Sequence, residues 1–150
     1  MALARIHFSE DKAEFVRSLK ASDFENGPFQ TYADIVIFSA ALGYNYRKRV
    51  LLGNYSRKDP DAVLQEQLRN PFIIQLIAIA ETRDPKILSD QKENEIQRIE
   101  LFEEYVNGGL EILSNELNGV VDYTEKILLM LKLAKQSNVQ SQDFDLSKFL

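Results

Sequence analysis

This 150-residue chain has no cysteine, only one histidine, and no phosphate-binding or nucleophile motif. Without cysteine there is no disulfide, no thiolate metal ligand and no cysteine nucleophile. No GxxxxGK[ST], GxGxxG or GxSxG pattern occurs, and a metal site needs three or four ligands at recognisable spacing. We therefore expect no cofactor, no metal and no catalytic residues, and we predict that the protein is not an enzyme.

Long apolar runs are also missing. None approaches the roughly 18 residues of a transmembrane helix, and residues 1–10 lack the basic-then-apolar order of a signal peptide. Absence of disulfides fits a reducing compartment. We expect a cytoplasmic protein that does not contact membranes.

Charge is distributed unevenly along the chain. The net charge is -5, but residues 1–58 carry a balance of +3 and residues 59–150 a balance of -8. A local basic face can bind phosphate on an acidic protein, because salt screens each charge within about 8–10 Å. The asymmetry directs the search for a nucleic-acid site to the first 58 residues.

The chain begins with a strand-helix-helix pattern. Ile6 and Phe8 alternate with Arg5 and His7, which is the two-residue period of a half-buried strand. Ser9 then caps a helix over about residues 10–20. An apolar helix follows over 32–42, with Thr31 as its cap and Gly43 as its stop. Ribbon-helix-helix DNA binders begin this way, and there the outward strand residues enter the major groove. The alternative is a strand that only seals the core or pairs across a dimer.

The remainder is predicted to be helical. Asx-Pro pairs open helices over 59–69 and 72–82 and recur at Asp84-Pro85. One long helix runs from about residue 90 to 117 with an apolar stripe from Ile96 to Leu117, and Asp122 can cap a last helix that ends near residue 135. The fold class is mainly α, a bundle of about six helices with a short N-terminal strand. We predict a single domain over 1–135, divided into a strand-helix-helix unit (1–52) and a helical bundle (59–135), followed by a loose tail (136–150).

The long helix has two unusual features. One face is rich in glutamate, including Glu100, Glu103 and Glu104, which share a side by their spacing. A solvated face is favoured over catalytic carboxylates, since nothing indicates the burial that catalysis needs. Gly108-Gly109 lies within the helix and marks either close helix packing or a kink.

One basic cluster is a candidate nucleic-acid site. Basic side chains with aromatic neighbours can follow a phosphate backbone and stack on bases, and Tyr44 and Tyr46 precede the densest positive run. The alternative is a solvated loop, and for the histidine an ordinary surface position. The candidate DNA-binding residues are Arg5, His7, Arg47, Lys48, Arg49, Arg57 and Lys58.

Three segments carry a family resemblance: RIHFSEDKAEFVRSLK, GPFQTYADIVIFSAALGYNYRKRV and IELFEEYVNGGLEILSNELNG. Together they resemble the DNA phosphorothioation-associated protein 4 family, also called dnd system-associated protein 4, over about residues 4–133. The resemblance implies a bacterial host-defence setting, near genes that place sulfur in DNA or use that mark for restriction. It implies that the protein acts together with DNA or with other proteins of that system. It gives no catalytic residues that could be assigned to this chain. The opening is also similar to the E component of the same system, which is thought to bind nicked DNA.

Two functional hypotheses follow for an accessory protein of this modification and restriction system. In the first, the protein binds DNA through its basic N-terminal face, as a homo-oligomer that we expect to be a dimer. In the second, it is an adaptor whose acidic helix 93–117, or whose tail around Phe144–Leu150, grips a basic partner protein of the same system.

Overall fold

A computed structural model describes residues 5–21, 27–53, 62–64, 68 and 72–147, without the side chains of 62–64 and 137–147. The fold is mainly α-helical, as predicted. None of the described helices combines the length and apolar character that crossing a membrane requires. The elements are β1 (Arg5–His7), α1 (Ala13–Leu19), α2 (Tyr32–Asn45), β2 (Ala62–Leu64), α3 (Phe72–Thr82), α4 (Lys92–Leu117) and α5 (Tyr123–Ser147), with 3-10 turns at Glu10–Lys12 and Pro85–Leu88.

Strand β1 pairs with β2 of the same chain in an antiparallel two-stranded sheet, in which Ile6 lies opposite Val63. The prediction of a helix over 59–69 is therefore wrong at residues 62–64; its other residues, apart from Leu68, lie outside the described part. A lone strand leaves backbone N–H and C=O groups without partners. Pairing with β1 satisfies these groups and outweighs the local tendency of Asp59-Pro60 to start a helix. Val63 also favours a strand because it is β-branched. The ribbon-helix-helix prediction had β1 pairing with a second chain, whereas its partner here is β2.

The predicted first helix forms as a 3-10 turn followed by α1, with Val16 and Leu19 buried. Ser9 stands at the N-cap position, but the prediction that its side chain caps the helix is wrong, because its hydroxyl makes no cap hydrogen bond. Helix α2 begins at the predicted cap, where the Asp34 N–H donates to Thr31 Oγ1 at 3.1 Å. The predicted stop at Gly43 is wrong, because α2 continues to Asn45. Gly43 is a packing residue instead, as its contact with α4 shows.

Helices α2 and α4 approach each other so closely that only glycine fits at the contact. A Cβ atom on Gly43, Gly108 or Gly109 would overlap the backbone carbonyl oxygen of Tyr105, Lys48 or Ser39, respectively. Helix α4 is continuous through the glycine pair. Of the two interpretations of Gly108-Gly109, close packing is therefore correct. The stripe of α4 is buried as predicted from Ile99 to Leu117, whereas Ile96 is exposed.

Helix α3 leads into the second 3-10 turn. Asp84 caps this turn as predicted, accepting the Lys86 N–H at 3.0 Å. Behind it a small apolar cluster joins Ala78 of α3, Ile87 of the turn and Leu101 of α4. These contacts fix the last turn of α3 near the first half of α4.

The chain forms two compact units, Met1–Glu116 and Leu117–Leu150. In the second unit, α5 begins with the Glu125 N–H donating to Asp122 Oδ1 at 3.1 Å. The helix includes residues 136–147, which we predicted to be a loose tail, so that prediction is wrong for the backbone as far as Ser147. No glycine or proline follows residue 119, and nothing in this segment stops a helix once it has started. A single domain over 1–135 stays a prediction.

Candidate functional site

The basic segment, residues 47–49, follows the C-terminus of α2. Lys48 donates its N–H to the Gly43 carbonyl at 2.8 Å, and Arg47 has a φ of 55°. This is the left-handed helix-capping position that glycine usually occupies. The Arg47 side chain is exposed, and its guanidinium lies 4.5 Å from the centre of the Tyr44 ring. Arg47 therefore presents its charged side chain to solvent, although its left-handed backbone conformation disfavours every residue that has a side chain.

Arg49 is bound by two carboxylates. Its Nη2 lies 2.6 Å from Glu104 Oε2, its Nε donates to the same oxygen at 2.9 Å, and its Nη1 lies 2.8 Å from Glu81 Oε1. The Glu104 bond is the main reason that the pKa of Arg49 is raised, and Glu81 adds to it against some burial. Arg49 therefore joins the end of α2 to both α3 and α4.

Tyr105 completes this cluster from the buried side of α4. Its hydroxyl donates to Glu81 Oε2 at 2.5 Å, and its ring packs edge-on against Tyr44 at 5.5 Å. Burial, then the Glu81 hydrogen bond, raises the pKa of Tyr105 to about 12. The same hydrogen bond is the largest cause of a lowered pKa at Glu81, with Arg49 assisting. Tyr105 thus remains protonated and Glu81 ionised at neutral pH.

Lys48 and the residues after Arg49 also contact α4. Lys48 Nζ lies 3.3 Å from Glu111 Oε1. The Val50 N–H donates to the Glu104 carbonyl at 3.1 Å, and the side chain of Asn107 donates to the carbonyls of Val50 and Leu51 at 3.3 and 3.2 Å. Residues 48–51 are therefore anchored along α4 rather than solvated on all sides.

His7 faces α4 as well. Its backbone N–H donates to Glu103 Oε2 at 2.6 Å, and its Nδ1 lies 3.1 Å from the same oxygen. Burial raises the pKa of Glu103 to about 7, the His7 N–H opposes this, and Glu100 and Glu104 add to it. Burial, then the charge of Arg5, lowers the pKa of His7. At neutral pH His7 is therefore uncharged.

The remaining candidates are Arg5, Arg57 and Lys58. Arg5 is exposed on β1, close enough to His7 for its charge to act on the imidazole. Arg57 and Lys58 lie outside the described residues. Of the seven predicted DNA-binding residues, the structure thus brings Lys48, Arg49 and His7 onto α4, and places Arg5 and Arg47 at the surface.

The partners on α3 and α4 were missed by the sequence analysis. Glu103 and Glu104 were assigned to a solvated face, yet their side chains are only 12% and 16% exposed. The signal that pointed to them was the opposite charge of the two parts of the chain, which we connected with DNA instead of with each other. Within the described ranges, no three His, Asp or Glu side chains are grouped to hold a metal ion.

Comparison with known proteins gives one match. A family model described as DNA sulphur modification system-associated protein 4 matches residues 5–149. No curated protein and no solved structure matches the chain. The match covers nearly the whole chain, including every residue of the site described above.

Proposed function

This chain belongs to the family of DNA sulphur modification system-associated protein 4, and we propose that it serves that system as a non-enzymatic adaptor that binds a partner protein in the cytoplasm. One observation carries the proposal. Four leucines of α5 are about half exposed, and contiguous exposed apolar side chains mark protein-binding surfaces. They are Leu128, Leu129, Leu131 and Leu133.

The charges on α5 define the partner. Lys132 and Lys135 lie between and after these leucines, both are exposed, and neither forms an ion pair within the described part of the chain. A helix that presents apolar side chains interleaved with lysines fits an apolar groove with carboxylates near it. The partner we propose is therefore a protein of the same system with an apolar groove rimmed by carboxylates.

This assignment moves the adaptor surface from where the sequence analysis put it. Glu104 and Glu111 of the acidic helix already contact cations of this chain, so they offer less charge to a basic partner. The side chains of Phe144–Leu150 lie outside the description. The first half of α5 has both the exposed apolar area and the unpaired charge that an adaptor needs.

Binding assays with purified proteins encoded with the system test the proposal. We expect one of them to bind the full chain, and the double variant Leu129→Glu/Leu133→Glu to abolish binding with helix content retained. The matched control Thr124→Glu/Gln136→Glu adds the same charge at exposed positions of α5 and should bind like wild type. Equal binding by both double variants, or no binding to any protein of the system, contradicts the adaptor role. DNA cleavage by the purified protein contradicts its non-enzymatic part.

DNA binding is the second candidate function, and one observation favours it. Arg47 and Arg83 end α2 and α3 with φ values of 55°, and both are exposed. Neither forms an ion pair with a carboxylate in the described residues. Strained backbone that presents a side chain is a feature of binding sites. These two arginines are better placed for phosphates than Lys48, Arg49 or His7.

Salt dependence separates the two kinds of arginine. On duplex DNA, each phosphate contact contributes about 0.9 to the log-log slope of affinity against salt. We expect Arg47→Gly to lower the slope by about that amount, and Arg49→Ala to leave it unchanged. Absence of salt-sensitive binding by wild type, measured by fluorescence anisotropy, removes this candidate without touching the adaptor proposal.

A further inference from the structure

Helix α3 exposes an apolar ridge on the face that turns away from the core. Phe72 is 66% exposed and Leu76 is 59% exposed, and Ala80, one turn further on, is exposed as well. The opposite face, with Ile74 and Ile77, is buried. No ionisable residue occurs between Phe72 and Ala80. The ridge has the composition of an interface core, from which charged side chains are depleted.

A groove runs beside this ridge, between α2 and α3. Its volume is about 540 Å³, and it is lined mainly by apolar side chains, with Tyr44 and Ala41 on the α2 side and Ala80, Ile77 and Leu76 on the α3 side. The α3 lining also includes Ile73, so the groove follows the ridge from the turn of Phe72 to Ala80, and Asn45 and Arg47 line its α2 side.

The order of side-chain sizes along the ridge matches a second copy. In a two-fold interface, a contact of residue i with residue j is repeated as j with i. An antiparallel pair of α3 helices centred on Leu76 places Leu76 against its own copy and Phe72 opposite Ala80, because 72 and 80 are equally distant from 76. The largest side chain then meets the smallest, and the phenyl ring of each copy enters the groove of the other beside Ala80.

Charge favours the same occupant. A chain of net charge -5 repels its copy, and this repulsion is weakest where the contact carries no carboxylate. The ridge from Phe72 to Ala80 has no ionisable residue, and the groove beside it is lined by one cation, Arg47. We propose that two copies of this chain associate through the Phe72–Leu76–Ala80 ridge of α3, antiparallel about a two-fold axis at Leu76. The proposal does not rest on the adaptor or DNA-binding roles, although Arg47, the DNA-binding candidate, lines the groove that the interface uses.

Engineered cysteines test this geometry directly, because the chain has none of its own. Helix axes about 8–10 Å apart, with Cα atoms about 2.3 Å from each axis, leave about 3–5 Å between facing Cα atoms, and a disulfide spans the upper part of this range. Leu76→Cys should cross-link to itself on mild oxidation. Phe72→Cys and Ala80→Cys should cross-link with each other when mixed, and much less when each is alone. Leu51→Cys, 78% exposed and outside α3, is the control for random collision.

The mass of the full chain in solution gives a second measurement. We expect sedimentation or light scattering to give twice the chain mass of 17.2 kDa. Leu76→Glu should give the monomer with unchanged helix content, whereas Gln75→Glu, an exposed neighbour off the ridge, should remain a dimer. A wild-type monomer at all attainable concentrations overturns the proposal. So does a dimer that survives Leu76→Glu, or self-linking of Phe72→Cys, which would indicate parallel helices.

Discussion

Helices α4 and α5 are nearly equal in length, with 26 and 25 residues, yet the surroundings of their apolar side chains are opposite. Helix α4 buries its stripe, so that Phe102, Val106 and Leu110 are each 0% exposed. Helix α5 buries Ile127 and leaves Leu129 and its neighbours about half exposed. A leucine-rich stripe therefore specifies a helix, and the residues beside the stripe specify what covers it.

In α4 the neighbours of the stripe are matched to other parts of the same unit. Gly109 admits the backbone of α2, and Glu104 binds Arg49 across 55 residues of sequence. In α5 the neighbours are exposed lysines, and the described part of its unit holds no second helix. The apolar stripe of α4 is covered within the chain, whereas the leucines in the first half of α5 are left about half exposed.

The largest expected effect is the contrast between core substitutions in the two helices. Phe102→Ala should lower the free energy of unfolding by about 3–5 kcal/mol, because it removes a fully buried ring and leaves a cavity. Leu129→Ala should change it by less than about 1 kcal/mol, since much of that side chain is already in water. Urea denaturation measures both. Equal losses for the two variants would contradict the contrast between α4 and α5.

The glycine contact gives the next largest effect. Gly109→Ala should destabilise by about 1–3 kcal/mol, because its Cβ has no room against the Ser39 carbonyl and the helices must separate. Alanine in an uncrowded helix would instead gain about 1 kcal/mol over glycine. Gly53→Ala is the control, since nothing lies within 4 Å of its Cβ position. A stabilised Gly109→Ala variant would show that α2 and α4 are further apart in solution.

Most features with a local cause could be predicted from the sequence. The caps at Thr31, Asp84 and Asp122 were found, because a cap is decided within three residues, whereas Ser9 makes no side-chain cap bond. Features with a distant cause could not be predicted: His7 meets Glu103 across 96 residues, and β2 is a strand because β1 needs a partner. Gly43 shows both cases. Its local sequence predicts the end of a helix, but its role in the structure is to pack against α4.

Variants of Arg47 and Arg49 test how much the contacts of the basic segment with α3 and α4 contribute to stability. Arg49→Ala should cost about 1 kcal/mol, because Glu81 and Glu104 lose their shared cation at a partly exposed site. Arg47→Gly should cost less, since release from the left-handed conformation offsets the larger unfolded-state entropy of glycine and the lost contact with the Tyr44 ring. Chemical denaturation of the two variants measures the difference. A larger loss for Arg47→Gly than for Arg49→Ala would mean that the contact with Tyr44 outweighs the backbone strain.

A pH dependence is expected at the contact of β1 with α4. Glu103 has a folded-state pKa of about 7, above its ordinary value of 4.5. A raised carboxyl pKa stabilises the fold fully below 4.5, and this contribution is lost as the pH rises to about 7. His7, with its pKa lowered from 6.5, acts in the opposite direction, since its contribution is present above 6.5 and is lost as the pH falls.

Glu103→Gln separates the two groups, because glutamine keeps an oxygen for the His7 N–H and has no proton to lose. Relative to wild type, the variant should gain stability as the pH rises from about 5 to 8, where wild type must ionise a buried carboxyl. Urea denaturation at several pH values gives this difference. If the offset between the two proteins is constant with pH, Glu103 titrates as in water, and the His7 contact lies open to solvent like the surface of α5.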